Sequence, residues 1–168
     1  MSLEGVLRRL APRGRQIAGT VYGTIVVMGA LVAGSKGGEP DPATLAAAVA
    51  GTVLVLWLAH VYSHALGETI ALGRRLDTGE LRDVARRELA IPLAAVAPMI
   101  ALLLGAVGVF RDTTSVWIAL VIGLVTLTVH GLAYARIERM SPVGTLVVVA
   151  INLGFGLVLV ALKAALAH

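Results

Sequence analysis

Three side chains able to bind a cation or carry a proton recur four residues apart in one apolar stretch: His60, His64 and Glu68. Positions four apart share a face of an α-helix, so the three would form one polar strip. Imidazole and carboxylate together can ligate a first-row divalent cation or relay protons, because histidine titrates near neutrality and glutamate supplies the counter-charge. Spacing alone does not choose between the two. A carboxylate in hydrocarbon costs about 2.5 to 3.5 kcal/mol, so Glu68 either lies at a membrane interface or needs water, a cation or a partner. A second stretch repeats the pattern with His130, Tyr134 and Glu138, and the two faces are expected to meet at one end of a bundle. We read the His60/His64 pair as functional and His130 as bonding a carbonyl of a neighbouring helix. Asn152, Thr20, Tyr22 and Thr24 are expected to make interhelical hydrogen bonds and no chemistry.

The elements that must position these groups are apolar. The chain has 168 residues, 58% of them hydrophobic, and a mean hydropathy of +0.89, which makes lipid its expected solvent. Stretches of about twenty residues without Asp, Glu, Lys or Arg recur, long enough at 1.5 Å per residue to cross a ~30 Å hydrocarbon core. The first has no small-residue cleavage site after it, so a removable signal peptide is not expected. With no cysteine there is no disulfide, thiolate metal site or cysteine nucleophile. The net charge is +4, but the arginines sit between apolar runs and not on one polar face, so the expected partner is a bilayer and not nucleic acid. No Walker loop, GxSxG elbow, HExxH run or nucleotide fingerprint occurs, which points away from an enzyme and from ATP as an energy source.

The pattern predicts an all-α, polytopic membrane protein with spans over about 17–34, 43–73, 90–110, 115–134 and 142–162. An amphipathic segment over 1–16 carries Arg8, Arg9, Arg13 and Arg15, and a short helix over about 77–89 carries Arg82, Arg86 and Arg87. Arg-rich and Arg-poor flanks alternate, which predicts a cytoplasmic N-terminus and an outer C-terminus in a multi-pass protein of the cell membrane. The loop SKGGEPDP is then outside. Asp41-Pro42 and Ser141-Pro142 each read as an N-cap followed by proline at the first helical position, and Thr113 to Ser115 as a further N-cap. Pro98 is expected to kink the third span and Pro92 to fit its first turn. The second run, at roughly 46 Å, exceeds a bilayer and must tilt or project. Lys163 and His168 are placed beyond the fifth span. Gly19-x-x-x-Gly23 and Gly154-Phe155-Gly156 permit close helix approach.

On these residues the segment SHALGETIALGRRLDTGELRDVARREL resembles the end of the second helix and the following cytoplasmic helix of the vacuolar iron transporter family, nodulin-like members included, with Gly67-Glu68 as the anchor. HGLAYARIERMSPVGTLVVVAINLGFGLVLVALKAALA is similar to that family's passage from fourth to fifth helix, with its Ser-Pro turn. The resemblance implies a homodimer that exports ferrous iron or manganese against protons, with the pore at the dimer interface and Glu68 as a pore or gate carboxylate. His64 falls where such proteins often place methionine, a swap that would make the site sensitive to pH. Two departures stand out. The first span reads TVYGTIV where the family would carry Asp-Gly, and the cytoplasmic insert is far shorter than a metal-binding domain, leaving Glu80, Asp83 and Glu88 as remnants. The missing carboxylate bears on iron transport itself, since a hard cation favours anionic oxygen ligands.

The sequence therefore predicts a transporter-like protein in which His60, His64 and Glu68 line a path for a divalent metal while Glu80, Asp83 and Glu88 attract it; the metal is cargo, and no resident cofactor is expected. The runner-up is a proton or monovalent-cation pathway on the same face. A third reading is a non-transporting scaffold or partner subunit whose polar residues only join helices.

Overall fold

The structure, a computed structural model, describes residues 3–35 and 41–166, with the backbone alone for 3–13, Arg15 and Leu166. The basic side chains Arg8, Arg9, Arg13 and Arg15, most of the SKGGEPDP loop and His168 lie outside what is described. Every described element is a helix: α1 (Leu3–Gly34), α2 (Pro42–Leu72), α3 (Thr78–Arg87), α4 (Ala90–Leu93), α5 (Val96–Ala106), α6 (Asp112–Ile137) and α7 (Pro142–Leu166). Four segments are long and apolar enough to cross a membrane: 16–34, 42–72, 112–137 and 142–165. The bent pair of α3–α4 with α5 passes the same test of length and composition only when its two parts are taken together, which gives four to five spans. The chain is a multi-pass α-helical membrane protein.

The helix ends follow from local chemistry. Asp41 caps α2 by accepting from the backbone N–H groups of Ala43 and Thr44, with Pro42 in the first turn. The Thr44 hydroxyl bonds the same carboxylate and, with those backbone donors, holds it below the usual aspartate range. Ser141 caps α7 through Gly144 N–H at 3.2 Å. Gly73 closes α2 in the left-handed region at φ 65°, where glycine lacks the Cβ clash. At the end of α6 that conformation falls to Arg139, at φ 50°; Met140 N–H bonds Ala135 C=O and Arg139 N–H bonds Arg136 C=O, a Schellman closure.

Several boundaries depart from the sequence expectation. The amphipathic segment expected over 1–16 is continuous with the first span in a single 32-residue helix. The break in the third span falls at Ala94 and Ala95, with a bend of 49°, and not at Pro98 itself. Proline at position i removes its own N–H and clashes with the carbonyl at i−4, which here is Ala94; the helix restarts at Val96, so Pro98 sits in the first turn of α5, where no donor is needed. The N-cap of α6 is Arg111, without a side-chain bond. Ser115 belongs inside the helix because its hydroxyl donates to Asp112 C=O at 2.7 Å and its Cβ packs against Gly105. Lys163 is not beyond the last span: α7 continues past it, the residue is 7% exposed, and its Nζ donates to Ser35 C=O at 3.4 Å. There it faces the carbonyl end of α1, where a cation opposes the helix dipole.

Helix α1 lies against α2, α4, α6 and α7. Its Val27, Met28 and Leu31 are fully buried and join Leu45, Val49, Ile91, Leu102, Leu120 and Leu127 in one core. Glycines let backbones approach there. A Cβ on Gly19 would stand 2.9 Å from the Ala90 Cβ, one on Gly23 2.6 Å from the Ile91 carbonyl oxygen, and one on Gly123 2.7 Å from the Met28 side chain. The Gly19/Gly23 pair thus serves packing within the chain, against α4. Of the Gly154/Gly156 pair only Gly156 makes such an approach, to Leu127 and Leu124.

Substituting Gly23→Ala should lower stability by about 1 to 3 kcal/mol, since backbone cannot yield as a flexible side chain does. Gly51→Ala, at an exposed helical position with open space around it, should be neutral or slightly stabilising. Thermal unfolding of the two variants in one detergent checks the contrast.

Candidate functional site

On α2, Trp57, His60, His64 and Glu68 fall within an arc of about 80° at 100° per residue. The strip that spacing anticipated is therefore present, and most of it is the seam on which α3 docks. Trp57 Nε1 donates to Ala85 C=O at 3.2 Å. His64 Nδ1 lies 2.7 Å from Glu88 Oε1, and Arg87 donates to Glu68 Oε1 at 2.7 Å. Trp57 was not singled out by sequence reasoning; its place one turn before the histidines on the same face was the available signal.

Hydrogen bonding fixes the ring tautomers. His60 Nδ1 is 3.0 Å from Leu56 C=O and His130 Nδ1 is 2.8 Å from Thr126 C=O. A carbonyl only accepts, so in both rings Nδ1 carries the proton and the neutral ring keeps its lone pair on Nε2. The Glu88 carboxylate likewise accepts from His64 Nδ1, leaving Nε2 of His64 free. His60 and His64 face one another edge-on with ring centroids 6.3 Å apart, and Tyr22 of α1 lies against His60 at 5.1 Å. The His64 side chain is 55% exposed and Glu88 12%.

Glu68 is not an unpartnered carboxylate, because Arg87 neutralises it. With the two side chains 37% and 44% exposed, the pair contributes about 0 to 1 kcal/mol. Glu80, Asp83 and Glu88 do not converge. Glu80 belongs to the α2–α3 turn, where it completes a capping box with Asp77 and takes two hydrogen bonds from Arg74, at 2.6 and 2.9 Å. Those Arg74 bonds, then the Asp77 N–H, hold the Glu80 carboxyl down at about 2, and Arg74 rises above its ordinary value in return. Among the described residues no group of three His, Cys, Asp or Glu is placed to hold a metal ion.

His130 does not join the α2 strip. It opens with Asp83, Arg86 and Arg87 into a separate cleft of about 910 Å³ between α1, α3–α4 and α6. Its partner is its own helix and not a neighbour. The same correction holds for Asn152, which donates to Val148 C=O at 3.1 Å, and for Thr20 and Thr24, which donate to Gln16 C=O and Thr20 C=O. A short polar side chain in an apolar helix satisfies itself on the carbonyl one turn back, which requires no neighbour to be in register. Tyr134 is 38% exposed on α6.

Neither a family model, nor a curated protein, nor a solved structure matches this chain.

The Glu80 pairing gives a signed pH dependence. The folded-state value lies below the ordinary glutamate value of 4.5, so its stabilisation of the α2–α3 turn is complete above about pH 4.5 and is lost as pH falls from there toward 2. Amide-exchange protection at the start of α3, corrected for intrinsic rate, should be flat from neutrality to about pH 5 and decline below it. Glu80→Gln should remove that decline.

Proposed function

We propose that this membrane protein passes a divalent metal cation along the His60/His64 face of α2, in the manner the resemblance to vacuolar iron transporters implies. One observation carries the reading: two imidazoles share a helix face with each Nδ1 already engaged, one on a carbonyl and one on a carboxylate, which leaves both Nε2 lone pairs for a cation. Orientation of a ligating histidine by a carboxylate on its other nitrogen is a recurrent feature of metal sites. Two imidazoles from one chain hold an ion loosely, with water completing its shell, as suits a cargo that must also leave. Glu88 takes the orienting role here, and Glu68, expected as the pore carboxylate, instead keeps α3 in place through Arg87. Alternation of arginine-rich flanks supports placing this face toward the cytoplasmic side.

The His64–Glu88 contact also favours a second reading, a proton path, because a carboxylate bonded to an imidazole can relay a proton without any metal.

Purified protein in liposomes holding a metal-sensitive dye separates the two. Flux of Fe²⁺, Mn²⁺ or Co²⁺ above empty liposomes, reduced about tenfold or more by His64→Ala and by Glu88→Gln, is the expected result. Proton flux that is indifferent to added metal and lost in the same variants would replace the metal reading with the proton path. Absence of both fluxes would leave the protein a scaffold.

A further inference from the structure

The cleft at the Arg-rich end of the bundle is distinct from the α2 strip and has an unusual distribution of charge. Its mouth is formed by Asp83, Arg86 and Arg87, one helical face of α3 at spacings of three and four. Arg87 is already neutralised by Glu68 at 2.7 Å. Neither Asp83 nor Arg86 joins an ion pair among the described residues, so within that set the mouth offers one guanidinium and one carboxylate to an occupant. The wall behind them is mostly apolar, with Ile17, Ala90 and Leu93 beside Gln16 and Thr20, and it reaches His130, which lies two turns, about 10 Å, from the α6 end at Ile137. Leu89 and Leu93 at the rim are 40% and 63% exposed, giving an occupant of the cleft a way out along the hydrocarbon.

A small soluble anion or cation would satisfy one of the two charges and leave the apolar wall wet. A singly anionic lipid would meet Arg86 and set its negative charge beside Asp83. An amphiphile carrying both signs within a few ångströms, with acyl chains attached, answers all three features. We propose that this cleft binds the headgroup of an amine-bearing zwitterionic phospholipid, its phosphate on Arg86, its ammonium on Asp83 and its chains passing over Leu93. Guanidinium suits phosphate oxygens through its planar fork of donors, and a primary ammonium offers N–H donors to the carboxylate that a quaternary one lacks. Basic pockets between spans at a membrane interface are established places for lipid headgroups. The site concerns the lipid and not the cargo, so it stands whether or not metal is transported.

Native mass spectrometry of the full-length protein, titrated with phosphatidylethanolamine, phosphatidylcholine and phosphatidylglycerol of identical chains, tests this. The ethanolamine lipid should bind about tenfold more tightly than either of the others, the size expected of one charge-assisted hydrogen bond. Asp83→Asn should erase that preference, and Arg86→Gln should weaken all three lipids. Arg82→Gln, on the same helix but off the cleft wall, should change nothing, which controls for net charge. Inorganic phosphate in excess should not displace the lipid. Equal affinities, tighter phosphatidylglycerol, displacement by phosphate alone, or a preference that survives Asp83→Asn would each overturn the assignment.

Discussion

The constraint on which the rest of this structure depends is that hydrocarbon offers no hydrogen bonds. Backbone polar groups in a bilayer must be satisfied within the chain, which allows helices or a closed barrel, and every described element here is a helix. The same requirement governs the side chains: Thr24, Thr52, Thr126, Thr128, His60, His130 and Asn152 bond the carbonyl a turn earlier, and no buried side-chain nitrogen or oxygen among the described residues lacks a partner. It also decides where irregular backbone is allowed. The break at Ala94 and Ala95 places Pro98 where a missing donor costs nothing, and the break is shielded by Gly23 of α1, which approaches Ile91 closely.

Without a hydrophobic drive between helices in lipid, packing density has to hold the bundle together. Helix α1 meets four neighbours, and close approaches are made by residues without side chains, among them Gly19, Gly23 and Gly34 on α1 and Gly123 on α6. Much of the remaining apolar surface, such as Val55, Tyr62, Ile70, Val107 and Val143, is exposed and is the face offered to lipid. High apolar exposure is therefore the expected state of a chain whose solvent is lipid.

Most of the described charge gathers at one end, while Asp41, Arg111, Asp112 and Lys163 mark the other. There α2 projects as a platform for α3, and the contacts between them are polar: an indole to a carbonyl, an imidazole to a carboxylate, and two arginine–glutamate pairs. Most carboxylates that resemble metal ligands in the sequence have basic partners in the fold. This divides the candidate chemistry in two: nitrogen lone pairs of His60 and His64 on one side of α3, and the Asp83/Arg86 mouth of the cleft on the other.

The sequence by itself determined what depends on local spacing: the helical class, four of the spans to within a few residues, the caps at Asp41 and Ser141, and the shared face of His60, His64 and Glu68. Each rests on neighbours within about four positions, where helical geometry leaves little freedom. It did not determine what each polar group would meet, because partners such as Glu88 for His64 and Arg87 for Glu68 come from another helix whose crossing is set by packing. The position of the third-span break likewise combined a local rule, the clash of Pro98 with the carbonyl four residues earlier, with a tertiary one, the seat that Gly23 provides. The meeting of the His60 and His130 faces failed for the same reason: α1 packs against both α2 and α6, and only the tertiary arrangement sets His60 against Tyr22 and turns His130 into a cleft of its own.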